Sequence, residues 1–452
     1  MSVVVGPSDG ARVPTRPIRK GRFEVFPDDP RESPYPDQLP EQQRVVVIGD
    51  LHGDYEALVA CLRMSGCVDA ADVGRWTAGP GTVMVVLGDV VDRFRAGRCA
   101  QPEAWGCHDS EWVAASGMFL TKSVGETQDE EKRVLRLLNS LASQAQGRGT
   151  YLYRLVGNHE EMQTHPDNDF GAQRTYASPF AVGGGALEDY QERWKSFYEG
   201  EFHRLVGEHR PKVALKVGSH VFCHGGFNAQ CVRAATELAT TNFPGMNIIQ
   251  LANAAFDERW RNIPEQRYGV VYEHIVRACG PSRGGKADFS GLLWDDSLSS
   301  TDTPEEVCSR TTYEVLRLLR QNFALSNWTP AEHIVISHCI QFDRNQEHTA
   351  GDLPAREVRR AEYTDFTTAP DAGFSKTRGD NRTVNALCEG LVWRMDVGMS
   401  RAFAYKAAAA YRLTPGLERS TRPAILLIDV KDGGGYDYIV RQWNSALPDV
   451  AL

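Results

Sequence analysis

Three short apolar runs in the first 160 residues each break off at a glycine followed by a polar residue. Val45–Ile48 runs into Gly49-Asp50, Val83–Leu87 into Gly88-Asp89, and Tyr151–Val156 into Gly157-Asn158. A run of four to six residues bounded by Gly, the first of the three all β-branched, is too short for a helix. It has no polar alternation, so it reads as a strand buried on both faces. Between these runs the apolar residues change to helical spacing: Tyr55, Leu58, Val59 and Leu62 within 54–66, then Val134, Leu137, Leu138 and Leu141 within 128–146. Buried strands alternating with helices define a mixed α/β protein. The same patterns predict further strands at 212–217, 220–223, 333–337, 424–429 and 437–441, and helices at 187–208, 247–260 and 305–325. Gly218-Ser219 predicts a tight hairpin between two of the strands.

Residues 1–43 are rich in Pro, Arg, Asp and Glu without an apolar period, which predicts a disordered or loosely attached arm, with structure beginning at Arg44. Stretches 94–127, 261–304 and 342–390 are irregular and rich in Gly and charge. The expectation is one large catalytic domain over 44–445 with surface insertions, chiefly near 94–127 and 342–390. No repeat of 20–50 residues is present. Gly183-Gly184-Gly185 lacks a following Lys-Ser/Thr, so it is a turn rather than a phosphate loop. A net charge of −9 disfavours a nucleic-acid binder, since nothing overall neutralises phosphates. No apolar run reaches 18 residues and the N-terminus shows no signal pattern, so neither a membrane partner nor secretion is expected. Ten irregularly spaced cysteines read as reduced thiols in the cytoplasm.

The strand ends carry the chemistry. They give GDLHGD at 49–54, GDVVDR at 88–93, GNHEE at 157–161, CHGGF at 223–227 and SHC at 337–339. In α/β sheets, ligands bind beyond the carboxyl ends of strands. Asp50, His52, Asp89, Asn158, His224 and His338 are oxygen and nitrogen donors that suit Mn, Fe or Zn without a thiolate. Six ligands exceed one tetrahedral site, so two divalent or trivalent metals are the natural count, with a carboxylate such as Asp89 bridging. Two metals side by side clamp an in-line displacement at phosphorus and turn a bridging water into hydroxide near neutral pH. His159, beside Asn158, is placed to protonate the leaving oxygen, with Asp92 to orient it. Arg93 offers a planar fork for phosphate oxygens.

These motifs, in this order, resemble the calcineurin-like metallophosphoesterases, and more narrowly the phosphoprotein phosphatase superfamily. The long gap from Asp89 to Asn158 and the late WRMDVGMS segment at 393–400 resemble its Shewanella-like, bacterial-type branch. The resemblance implies a central β-sandwich flanked by helices, in four α/β/β/α layers, with the site at one edge. It implies a first metal on Asp50, His52 and Asp89, and a second on Asp89, Asn158, His224 and His338. It supports His159 as general acid, Asp92 as its partner and Arg93 as phosphate clamp. LLWDDS at 292–297 resembles a superfamily segment that brings Asp295 or Asp296 to the site. Two departures stand out: Phe94 follows GDVVDR where Gly is usual, and Ser337-His338-Cys339 replaces Gly-His-Thr. The second phosphate-binding Arg is unassigned, with Arg283 a candidate.

Plainer readings apply elsewhere. His220 and His333 are structural or solvated, Cys223 and Cys339 are buried small hydrophobes more than redox inhibitors of the site, and Trp76 is packing. The expected function is a metal-dependent phosphomonoesterase acting on phosphorylated proteins or peptides. A hydrolase of bis-nucleoside polyphosphates or other small phosphorylated molecules is the alternative.

Overall fold

The computed structural model describes residues 35–91, 124–162, 200–261, 271–277, 290–299, 312–338, 363–367, 384–397 and 423–443, with residues 269, 308 and 399 besides. In chain order the strands are β1 (Gln38–Leu39), β2 (Arg44–Ile48), β3 (Thr82–Val86), β4 (Tyr151–Arg154), β5 (Ala214–Val217), β6 (His220–Cys223), β7 (His333–Ile336), β8 (Tyr363–Thr367), β9 (Asn385–Leu387), β10 (Val392–Arg394), β11 (Ala424–Val430) and β12 (Tyr436–Trp443). The helices are α1 (Tyr55–Ser65), α2 (Val124–Gln146), α3 (Asn158–Met162), α4 (Glu201–Gly207), α5 (Ala229–Thr241), α6 (Ile248–Arg261) and α7 (Tyr313–Ala324), with a π-helical turn at Tyr272–Arg277.

The strands form two six-stranded sheets, in the orders β1-β5-β6-β7-β10-β9 and β4-β3-β2-β11-β12-β8. They pack on each other: Trp393 of β10 stacks on Tyr438 of β12 at 4.5 Å, and His220 Nε2 of β6 lies 3.0 Å from the Tyr438 hydroxyl. Helices α1 and α2 cover the second sheet; α6 packs on β5 of the first, beside α5 and α7. This is the four-layer α/β/β/α arrangement. The valine runs that predicted two-sided burial are the inner strands of the second sheet, and Val46, Val47, Ile48 and Val83–Val86 are fully buried. Helix α1 starts where Asp54 accepts a hydrogen bond from the Ala57 N–H (3.1 Å) and stops at Gly66 in the left-handed region.

Sheet register sets the site. Strands β2, β3 and β4 run parallel with Ile48, Val86 and Arg154 in line. Their carboxyl ends therefore emerge at one edge, carrying Asp50, Asp89 and Asn158. In the other sheet β6, β7 and β10 are also parallel, with Phe222 beside Val335 and Arg394 beside Ile336. Their ends carry His224, His338 and Asp396.

Three expectations need correction. Ordered chain begins before Arg44, because Tyr35 and Leu39 are buried, β1 pairs with β5, and Lys212 Nζ holds Asp37 Oδ1 at 2.6 Å. Residues 1–34 lie outside the described residues. Within 342–390, β8 and β9 are edge strands of the two sheets, too short and too polar to give a periodic signal. The cysteines are not all reduced thiols: Cys308 and Cys388 form a disulfide across 80 residues of sequence, joining the chain before α7 to the β9–β10 turn. Irregular sequence spacing does not reveal such a bridge, because the fold alone brings the two sulfurs together. The cytoplasmic reading loses the support it drew from reduced thiols. No helix among the described residues is long and apolar enough to cross a membrane.

Candidate metal centre

Each candidate side chain sits just past a strand, Asn158 and His159 at the start of α3. His52, Asp89 and His338 have positive φ values of 41°, 46° and 70°, a backbone state uncommon for non-glycine residues. Glycines let these turns interlock. A Cβ on Gly49 would strike the Met395 carbonyl of the opposite sheet, and one on Gly157 would strike the Asp89 carboxylate.

Asp50, His52, Asp89, Asn158, His159 and His224 are all buried, and His338 is half-buried. The Nδ1 atoms of His52 and His224 face backbone carbonyls, Val91 O at 3.2 Å and Leu87 O at 3.0 Å. Donation there leaves each Nε2 lone pair turned inward on Asp89, at 3.5 Å for His52 and 3.4 Å for His224. That tautomer is the one metal-ligating imidazoles adopt. Asn158 Oδ1 lies 2.9 Å from His224 Nε2, and the His338 ring packs edge-on to His224 at 5.1 Å. Two groups of three result, each with donor atoms within 4.8 Å of one another: Asp50, Asp89 and His224, and His52, Asp89 and His159. Asp89 belongs to both. The sequence motif had assigned His159 a proton-transfer role only; here its Nε2 stands 3.7 Å from Asp89 Oδ2. Asp92, Arg93, Arg283 and Cys339 lie outside the described residues.

The electrostatics call for cations. Asp50 Oδ2 is buried with no hydrogen-bond partner. Burial and the neighbouring Asp396 and Asp89 carboxylates push the Asp50 carboxyl well above its ordinary range, against the Ser337 hydroxyl bond. Burial also pushes Asp89 upward, but His159 and His224 outweigh it and hold Asp89 well below the ordinary range. Burial and His224 drive His338 down to about 3, so it is neutral and one ring nitrogen carries a lone pair suited to a metal. An unpartnered carboxylate oxygen among inward-facing imidazoles fits divalent metal ions.

Two buried acids escaped the motif reading. Glu160 accepts four backbone N–H groups: Asp89 (3.0 Å) and Gly157 (2.8 Å) on Oε2, Val90 (2.8 Å) and Val91 (3.0 Å) on Oε1. It thereby fixes the turn that carries Asp89 to the turn that carries Asn158. Its place inside GNHEE was the available signal. Glu160→Gln puts an amide NH₂ against two of those donors and should destabilise the fold by about 2–6 kcal/mol, the cost of two buried N–H groups left unpaired. A denaturant midpoint within error of wild type would refute that role. Asp396, at the end of β10, is buried beside Asp50, and only its place in WRMDVGMS pointed to it.

Asp295 is buried against the Gly225-Gly226 turn, accepting from Ser297 Oγ (2.8 Å) and Asn228 Nδ2 (3.3 Å). Burial raises its carboxyl to about 6 from 3.8. A raised folded value stabilises the protein most below the unfolded value. That stability is lost as pH climbs through about 6. Relative to Asp295→Asn, wild type should lose about 3 kcal/mol between pH 3.5 and 7. Parallel stability curves for the two proteins over that range would count against it. Cys223 is fully buried with its thiol pushed well upward by burial and Asp295, which makes it a packing residue rather than a reactive one. His220 and His333 stack on each other at 4.5 Å at the other end of their strands, and Trp76 is fully buried.

Comparison with known proteins agrees with this geometry. The family model for calcineurin-like phosphoesterases matches residues 43–299. Shewanella-like protein phosphatase 2 of Arabidopsis thaliana is 30% identical over 125 residues, 28% of this chain and 22% of that protein. Shewanella-like protein phosphatase 1 of Plasmodium berghei is 24% identical over 310 residues, 68% of this chain and 63% of that protein. The chain thus spans less than two thirds of the length of either relative. A solved cold-active protein-tyrosine phosphatase of a Shewanella species aligns over 87% of this chain and 78% of its own at 17% identity, with a TM-score of 0.42. With a match over more than half its length and the motif residues gathered at one edge of the sandwich, the chain belongs to the calcineurin-like phosphoesterase family.

Proposed function

We propose that the protein is a metal-dependent phosphomonoesterase with a dinuclear centre, acting on phosphorylated proteins. The observation that carries this reading is the pair of ligand groups sharing Asp89, with Asp50 Oδ2 buried and unpartnered beside it. Asp50, His52, Asp89, Asn158, His224 and His338 would hold the ions; manganese, iron or zinc suits this donor set. When bound, two such ions neutralise phosphoryl charge and supply a water acidic enough to act at neutral pH. The rest falls to side chains. Asp89 balances the charge at the centre of the site, His52 and His224 keep their protons on Nδ1, and His159 offers the proton the leaving oxygen requires. In the sequence reading, Arg93 grips the phosphate and Asp92 orients His159. The relatives' names support a phosphoprotein substrate. One catalytic domain that takes in β1 and both sheets is our reading of the organisation.

The test is hydrolysis of p-nitrophenyl phosphate by the full chain after chelation, with Mn, Zn, Fe and Mg restored singly. Recovery with at least one metal, and cleavage of phosphopeptides in preference to a dinucleoside polyphosphate, is the expected result. Activity that survives chelation with no bound metal would end the metal reading. Preference for the dinucleoside polyphosphate would end the phosphoprotein one.

A further inference from the structure

Ser337 stands where the two sheets meet over the candidate centre. It follows β7, in the first sheet, and its Oγ donates to Oδ1 of Asp50, which follows β2 in the second. Its own N–H donates to the His224 carbonyl at 2.8 Å, and the next residue is His338. One fully buried residue therefore touches Asp50, His224 and His338 through side chain, N–H and chain connectivity. The two oxygens of Asp50 are thereby distinguished: Oδ1 is taken by the hydroxyl, while Oδ2 is buried with no partner.

We propose that Ser337 is a positioning residue for metal binding: its hydroxyl fixes the Asp50 carboxylate so that Oδ2 alone faces the metal. This rests on the metal-centre reading and assigns a role to the residue by which this chain departs from the glycine usual at that position. A carboxylate can turn about its Cβ–Cγ bond, so Asp50 would otherwise present either oxygen or both. Four buried carboxylates crowd this region, Asp50, Asp89, Glu160 and Asp396, and repulsion from Asp89 and Asp396 favours swinging Asp50 out of line. The hydroxyl bond opposes that swing. It is neutral, so it holds the carboxylate without competing with a cation for the site. Hydrogen bonds of this kind to ligating groups are worth roughly 10–100-fold in metal affinity.

The experiment uses the full chain, chelated and titrated with Mn(II), with free ion read by electron paramagnetic resonance. Wild type, Ser337→Ala, Ser337→Gly and Ser337→Thr are compared, and the melting temperature of each metal-free protein reports folding. The expected result is a Kd raised about 10–100-fold in the Ala and Gly variants, with recovery in the Thr variant, which restores the hydroxyl. The Ala and Gly variants keep the backbone N–H to His224, so a loss common to both belongs to the hydroxyl. Folded Ala and Gly variants that bind Mn(II) as tightly as wild type, or more tightly, would overturn the inference while leaving the metal centre intact. Wild type that binds no Mn(II), Zn(II) or Fe(II) would overturn the metal-centre reading itself.

Discussion

Asp89→Asn should strip the purified protein of metal and lower phosphatase turnover by at least about 10³-fold, beyond the cost of a single lost electrostatic donor. Asp89 alone belongs to both ligand groups, and three histidines converge on it with four nitrogen atoms: Nε2 of His52, His159 and His224, and the His159 N–H at 3.0 Å. Asn is the right replacement because it tolerates the left-handed backbone at φ 46° and keeps one carbonyl oxygen for the His159 N–H. Only the charge and one donor oxygen are lost, so an effect cannot be put down to collapse of the turn. Elemental analysis after gel filtration, together with turnover of p-nitrophenyl phosphate, is the measurement. A variant with a full metal complement and turnover within tenfold of wild type would remove Asp89 from the centre.

His159→Asn should separate proton transfer from metal binding. As general acid, His159 is needed most when the leaving group is a poor one. Turnover of an alkyl phosphate or phosphoserine peptide should fall about 10²–10⁴-fold, with p-nitrophenyl phosphate affected far less. Metal content should stay as in wild type. The structure sharpens this test, because His159 Nε2 is close enough to Asp89 and His52 to complete a ligand group, its ring lying 4.7 Å from that of His52. Loss of metal in His159→Asn, with both esters slowed equally, would make His159 a ligand and leave the leaving-group proton to another residue.

The strand-end motifs were legible because their signals are local. A buried strand shows as a short apolar run, the sharp turn after it as Gly, and the candidate ligand as Asp, His or Asn next in line. Asp50, His52, Asp89, Asn158, His159, His224 and His338 could therefore be picked out from the chain alone as candidates. So could the inner strands and helices α1 and α6, where apolar period and element length agree. Helix α5 was missed, since its Ala- and Thr-rich face gives a weak stripe with only Cys231, Val232, Ala235 and Ala239 buried. The π-helical turn, whose Tyr272 hydroxyl donates to Glu161 at 2.7 Å, was hidden in a stretch read as irregular.

The sequence by itself singled out a set of candidate ligands and placed each just beyond a strand. Tertiary structure decided which of them meet. Parallel pairing within each sheet, and packing of one sheet on the other, brought Ser337 to Asp50 across 287 residues and set Asp396 beside them. Glu160 reached back 71 residues to the Asp89 N–H, and Cys388 found Cys308. Such partners carry no period and no fixed spacing. Their meeting follows from strand register and sheet packing, which the burial of the whole core selects rather than any local stretch of chain.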